Sequence, residues 1–257
     1  MAVIQFSHAN GFPSGSYQYF FEQLKPHSVE AVPIYGLGKY RLKNDWRIWA
    51  DELIEAIEHH GKGPVVGLGH SLGGAITIAA AQKRPDLFSR IILFDPPIFG
   101  WKRRLLLGIS KSLGVGLRII PIAKQALNRK DHFQNLEEAR TYWGKKRFFR
   151  DFHPQCFEDY LHHGLTPDED GLTLSIPKAL EAKIFTTGQA YLGTIRLSIP
   201  SHYLYATQGV LTEAEIKAQP KHFPDTQFHA IEGGHMFPLE EPEATATFIK
   251  ELLKSEQ

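Results

Sequence analysis

Gly69-His70-Ser71-Leu72-Gly73 sets a serine between two glycines at the G-x-S-x-G spacing. The apolar stretch Pro64 to Leu68 precedes it and an Ala/Ile-rich stretch running to Lys83 follows, so the motif falls on a strand-to-helix turn, the setting that presents a serine hydroxyl as a nucleophile. Such a turn strains the backbone at the serine, and residues two positions away must lack side chains; Gly69, Gly73 and Gly74 supply that room. The competing reading of the same glycines is a helix start used for close packing or for phosphate binding. A serine hydroxyl is a weak nucleophile at neutral pH and needs an imidazole within hydrogen-bond reach. Among 13 histidines, His235 is singled out because it closes an apolar strand in Ile231-Glu-Gly-Gly-His-Met-Phe-Pro, just ahead of the last helical stretch. Gly233 and Gly234 allow the tight turn that would swing its ring over the edge where Ser71 sits. The loop His8-Ala9-Asn10-Gly11-Phe12 follows the first strand. Its backbone N–H groups, with that of Leu72, suit an oxyanion hole; Phe12 is the preferred donor and Asn10 the competing one. His8 itself is expected to shape this loop through hydrogen bonds rather than to act on a substrate.

The elements that must position these residues alternate along the chain. Strands are predicted at Ala2 to Phe6, Ser28 to Tyr35, Pro64 to Leu68, Arg90 to Phe94, Tyr203 to Thr207 and Gln227 to Ile231. Between them, Trp46, Trp49, Leu53, Ile54 and Ile57 form an amphipathic stripe that starts at Asp45 and ends at Gly61 and Gly63, and Pro242 to Leu253 repeats the pattern at the end. Strands that are apolar throughout, separated by helices, indicate a parallel sheet covered on both faces. Residues 99–198 break the rhythm, with helix-compatible pieces around Leu105, Ile119, Arg140 and Tyr160 and no convincing strand. The expected organisation is therefore an α/β core of residues 1–98 and 199–257, with 99–198 inserted as a helical cap at the sheet edge.

Taken together, these residues resemble the α/β-hydrolase superfamily: a strand ending in a His-Gly type loop, the G-x-S-x-G elbow, a cap, and G-x-x-H before the final helix. The loop His8-Ala-Asn-Gly-Phe-Pro is similar to that of a subgroup of bacterial hydrolases and related fungal acyl-CoA hydrolases. The resemblance covers about 1–98 and 199–257. It implies a reduced fold of about six mainly parallel strands, because the family's first two strands are missing ahead of the His8 strand. It also implies a third catalytic residue, a carboxylate that fixes the imidazole tautomer. Family members usually carry it after the penultimate strand, but that loop here reads Thr207-Gln-Gly-Val-Leu-Thr-Glu213, with no carboxylate before Glu213. Other members place it after the strand that follows the elbow, which here ends in Asp95. Asp95 is the preferred acid and Glu213 the alternative.

The resemblance implies a serine hydrolase cleaving a carboxylic ester or thioester through an acyl-enzyme, with neither cofactor nor metal. The same groups would serve an acyl-CoA hydrolase, an acyltransferase or a C–C bond hydrolase, and a non-catalytic ligand-binding member is the rival of another class. Ser71 in the elbow excludes the family's epoxide hydrolases and dehalogenases, which use an aspartate there. Composition narrows the partners. With 257 residues, 42% hydrophobic, the chain can bury a large core, and a net charge of +1 argues against a dedicated nucleic-acid binder. A single cysteine, Cys156, excludes an internal disulfide; Met1-Ala-Val-Ile-Gln-Phe-Ser has neither the basic nor the apolar region of a leader and no run of about 18 apolar residues is present, so a soluble, cytoplasmic protein is expected. Charge is unevenly spread. Residues 101–150 hold 13 Lys or Arg against three carboxylates, a surplus of ten that leaves the rest of the chain at −9. With Leu105, Leu106, Leu107 and Ile109 interleaved, that stretch suits an anionic amphiphilic substrate or peripheral contact with an anionic membrane, or else forms a solvated basic face over an ordinary cap.

Overall fold

The computed structural model describes residues 1–43, 45–187 and 194–254. Its strands are β1 (Val3–Ser7), β2 (Ser28–Ala31), β3 (Val65–His70), β4 (Phe88–Phe94), β5 (His132–Phe133), β6 (Leu165–Asp168), β7 (Gly171–Leu174), β8 (Ser201–Gln208) and β9 (Gln227–Gly234). Six of them form one sheet in the order β2-β1-β3-β4-β8-β9, with every neighbouring pair parallel. All their carboxyl ends therefore lie along one edge, and the loops that follow β1, β3, β4, β8 and β9 open side by side.

The central strands explain the absence of alternation in the sequence. Val65, Ile91 and Leu93 pack on one face with Trp49, Leu53 and Ile57 of helix Ile48–His60 and with the small residues of helix Leu72–Lys83. Leu68, Ile92 and Phe94 pack on the other face with Phe20 and with Ile249 and Leu253 of helix Pro242–Lys254. A strand between two helical layers must be apolar on both sides. β2 stops at Ala31, four residues short of the expected end at Tyr35; Pro33 lies in that tail and cannot donate to a ladder. The helix expected from Asp45 begins instead at Ile48, and Asp45 accepts the Arg47 N–H at 2.9 Å in the turn before it.

The segment between β4 and β8 corrects the expectation of a purely helical insertion. Helices Trp101–Ser112, Pro121–Leu127, Leu136–Gly144, Pro154–His163 and Lys178–Thr186 accompany a three-stranded antiparallel sheet, β5-β7-β6. β6 and β7 make a hairpin that pairs Asp168 with Gly171 across a two-residue turn, and Phe133, Trp143, Phe152 and Tyr160 of this segment are buried in one cluster with Phe6 and Phe12. Residues 188–193 of the 99–198 insertion lie outside the described residues.

Candidate active site

Ser71 occupies the single position between β3 and helix Leu72–Lys83, with φ 53° and ψ −117°, a left-handed backbone conformation that few side chains adopt. Two close approaches hold the turn. A Cβ at Gly69 would stand 2.6 Å from the Gly73 carbonyl oxygen, and a Cβ on Gly73 would collide with the Ser7 carbonyl at the end of β1. The glycine spacing is thus what lets the helix start abut both its own strand and the neighbouring one. The Ser71 N–H donates to Phe94 O at 2.8 Å, which fixes the elbow to β4.

Asp95 follows β4 directly, is fully buried, and also has a positive φ, 42°. Its Oδ2 accepts the Nδ1–H of His235 at 2.6 Å. Since a carboxylate only accepts, His235 carries its proton on Nδ1, leaving Nε2 to accept the Ser71 hydroxyl at 2.9 Å. Ser71 and His235 are half-buried and Asp95 is not exposed at all, so the pair that would meet a substrate can be reached from solvent while its carboxylate stays in a low-dielectric setting. Asp95 Oδ2 also accepts the Val210 N–H at 3.3 Å, and a Cβ at Gly209 would lie 2.5 Å from it. The loop after β8 therefore wraps the Asp95 carboxylate instead of supplying one. Glu213 does not join this group: its side chain is 92% exposed at the start of helix Glu213–His222 and faces Lys217 at 3.9 Å.

The loop after β1 forms a tight turn in which Phe12 N–H donates to Ala9 O at 3.2 Å, with Gly11 at φ 81° as a type II turn requires. That bond engages, within the turn itself, the Phe12 N–H that is expected from the sequence to serve as the oxyanion donor. Its ring instead packs among Phe148, Phe149, Phe152 and Tyr160 of the inserted segment. Asn10, the competing donor, keeps a backbone N–H with no hydrogen bond among the described residues; its side-chain amide donates to Glu181 O at 3.1 Å. Leu72 opens its helix, so its N–H has no carbonyl one turn earlier to bond. His8 is buried, accepts the Tyr35 N–H on Nε2 at 3.1 Å and donates Nδ1–H to Ala9 O at 2.8 Å, and burial lowers its imidazole to about 4. It is a neutral brace of the loop.

Three further residues, none of them singled out in the sequence, connect these loops. His70 Nε2–H donates to the His235 carbonyl at 2.9 Å, while its Nδ1 accepts the Tyr17 hydroxyl at 2.8 Å; that hydroxyl in turn accepts the Ala9 N–H at 3.4 Å. Burial, and then the nearby charge of His235, hold His70 well below the ordinary imidazole value, so it stays neutral. Glu240 accepts the Gly234 N–H at 3.1 Å and ties down the turn that carries His235. His70 stands inside the serine motif and could have been noticed there; Tyr17 and Glu240 carry no local signal. Among the described residues no cluster of His, Cys, Asp or Glu could hold a metal ion.

A parallel six-stranded sheet between helical layers, with a strained serine on the strand-to-helix turn, defines the α/β-hydrolase class of fold. The chain belongs to the alpha/beta hydrolase family, whose model matches residues 6–248. It is 25% identical over 185 residues to the type I acyl-CoA thioesterase mpaH of Penicillium brevicompactum, covering 70% of this chain and 40% of that protein. Over 72 residues it is 35% identical to lipase LipV of Mycobacterium tuberculosis, covering 27% of this chain and 28% of that one. Over 107 residues it is 34% identical to the monoglyceride lipase of Rattus norvegicus, covering 38% and 35%. The match thus spans at most 40% of the length of these curated relatives. Among solved structures, E-2-(acetamidomethylene)succinate hydrolase superposes with a TM-score of 0.76 at 17% identity, over 98% of this chain and 91% of the other, a likeness of fold.

Proposed function

We propose that the chain is a serine hydrolase of carboxylic esters or thioesters, and the observation that carries this reading is the unbroken hydrogen-bond line from Ser71 through His235 to buried Asp95. Ser71 Oγ attacks the acyl carbon as His235 Nε2 takes its proton. The resulting oxyanion is held by the N–H groups of Leu72 and Asn10. Collapse of the tetrahedral intermediate expels the alcohol or thiol, which leaves with the proton from His235. Water then attacks the acyl-enzyme with the same imidazole as base, releasing the acid and restoring Ser71. Asp95 holds the Nδ1–H tautomer throughout and stabilises the transient imidazolium, its charge little screened at a fully buried site. The inserted segment caps this edge; the packing of its Phe148, Phe149, Phe152 and Tyr160 around Phe12 supports that placement.

A thioester substrate is the specific alternative to an oxygen ester, favoured by the acyl-CoA thioesterase relative whose match covers 70% of this chain. The deciding experiment is labelling with a fluorophosphonate probe, followed by turnover of p-nitrophenyl esters of increasing chain length beside a matching series of acyl-CoAs. Wild type should label, and Ser71→Ala should lose both labelling and turnover while keeping its far-UV circular dichroism, because alanine fits the elbow. Turnover or labelling that survives in Ser71→Ala would end this reading, and the better of the two substrate series assigns the leaving group.

A further inference from the structure

Residues 101–127 turn their apolar side outward. Helix Trp101–Ser112 buries Arg104 and Ser110, while Trp101, Leu105, Leu106 and Ile109 stand between 48% and 66% exposed. A helix that covers a protein core in water has the opposite arrangement. Leu113 and Ile119 continue the open face beyond the helix, at 68% and 58% exposed. Nine of the thirteen large hydrophobic side chains exposed among the described residues fall within this one stretch, so this is a patch and not scattered surface.

The charge carried by this stretch of chain has one sign. No carboxylate occurs between Asp95 and Asp131, an interval that holds eight Lys or Arg. Some of these are committed elsewhere: Arg103 pairs with Glu215 at 3.0 Å, Arg129 with Glu181 at 2.7 Å, and Arg104 is buried. Lys102, Lys111, Arg118 and Lys124 are exposed and form no ion pair among the described residues. Open leucines and isoleucines alone would suit a second copy of this chain. A symmetric contact between two copies, however, would bring the same four cations face to face at a surface being stripped of water. A sheet of anionic headgroups over acyl chains matches both the apolar side chains and the cations around them.

We propose that the 101–127 face docks on an anionic lipid surface, with helix Trp101–Ser112 lying in the headgroup plane. No described helix is long and apolar enough to cross a membrane, and this one, at 12 residues, spans about 18 Å. Its Leu and Ile side chains enter the acyl boundary, and the Lys and Arg side chains meet headgroup phosphates. Only five residues of chain separate Asp95 from Trp101, six steps with a reach of at most about 20 Å, so docking holds the carboxyl edge of the sheet close to the lipid. The inference stands on surface chemistry, and its readout needs no turnover, so it succeeds or fails separately from the hydrolase reading.

The test is co-sedimentation of the whole chain with phosphatidylcholine vesicles made with and without phosphatidylglycerol. Wild type should bind the anionic vesicles at least about tenfold more tightly than the neutral ones, and raised salt should weaken that binding. Leu105→Glu/Leu106→Glu/Ile109→Glu should lower binding to the anionic vesicles by about 100-fold. Lys102→Glu/Lys111→Glu/Arg118→Glu/Lys124→Glu should lower it by about tenfold or more. Far-UV circular dichroism and the urea midpoint, unchanged in both variants, report that each is folded. Three results would overturn the proposal: wild type left in the supernatant, variants that bind as wild type does, or a wild-type dimer in sedimentation equilibrium that the Leu/Ile substitutions split, which would make a second copy the occupant.

Discussion

Asp95 is the residue on which the sequence was least decisive. A carboxylate after β4 also reads as an ordinary strand stop before Pro96 and Pro97, and Glu213 lies nearer the family's usual place. The choice depends on burial and on direction, neither of which spacing encodes: Asp95 is enclosed against His235, whereas Glu213 points into water. Asp95→Asn should therefore lower kcat by several orders of magnitude, roughly 10⁴ where an orienting carboxylate is lost from a serine triad. Glu213→Gln should leave kcat within a few-fold; steady-state kinetics on a soluble ester decides, and a collapse of Glu213→Gln with Asp95→Asn intact would reverse the assignment. Ser71 and His235 were legible because each sits in a glycine-flanked turn at the end of an apolar run. The choice between Phe12 and Asn10 was not, because it hangs on whether Phe12 N–H is consumed by the turn to Ala9.

Elements follow the sequence where burial is two-sided and blur where it is not. β3, β4 and helix Leu72–Lys83 are almost wholly buried, and their unbroken apolar runs marked them. The β6–β7 hairpin carries little sequence signal because its strands have four residues each, are mostly not buried, and include Pro167; its one cue is Asp170-Gly171, where the Glu169-Asp170 turn meets β7. Helix Glu213–His222 hid behind a Pro at 220, yet Thr212 and Glu215 form a full capping box at its start. The glycines that close the elbow can be tested at this scale. In Gly73→Ala the new methyl meets the backbone of β1, which cannot swing aside, and should cost about 3 kcal/mol or more in urea unfolding. Gly108→Ala, on an exposed helix with nothing within 4 Å, should stabilise by about 0.5–1 kcal/mol. Equal effects at the two positions would contradict the packing described for the elbow.

For the whole molecule, acid is the condition that sets the folded state against itself. His8 titrates near 4 when folded and near 6.5 when unfolded, so between those values the unfolded chain binds the extra proton. The stability this represents, on the order of 3 kcal/mol, is present above 6.5 and is lost as pH falls towards 4. His70, shifted in the same direction, adds to the loss. Urea midpoints should drop steadily from about pH 7 to pH 4.5, and His8→Gln, whose amide oxygen can still accept the Tyr35 N–H, should show a shallower drop. An unchanged slope in that variant would mean that His8 is not held neutral by the fold. The parallel order of the sheet has a separate consequence. β4 and β8 are neighbours, and the end of each reaches the same oxygen of Asp95: β4 carries the carboxylate, while Gly209 and Val210 beyond β8 lie against it. A carboxylate borne by either strand would address His235 from one point in space. Which of the two strands carries the charge therefore need not alter where the imidazole of His235 stands, and the place of the carboxylate in the chain says less about this site than its place in the sheet.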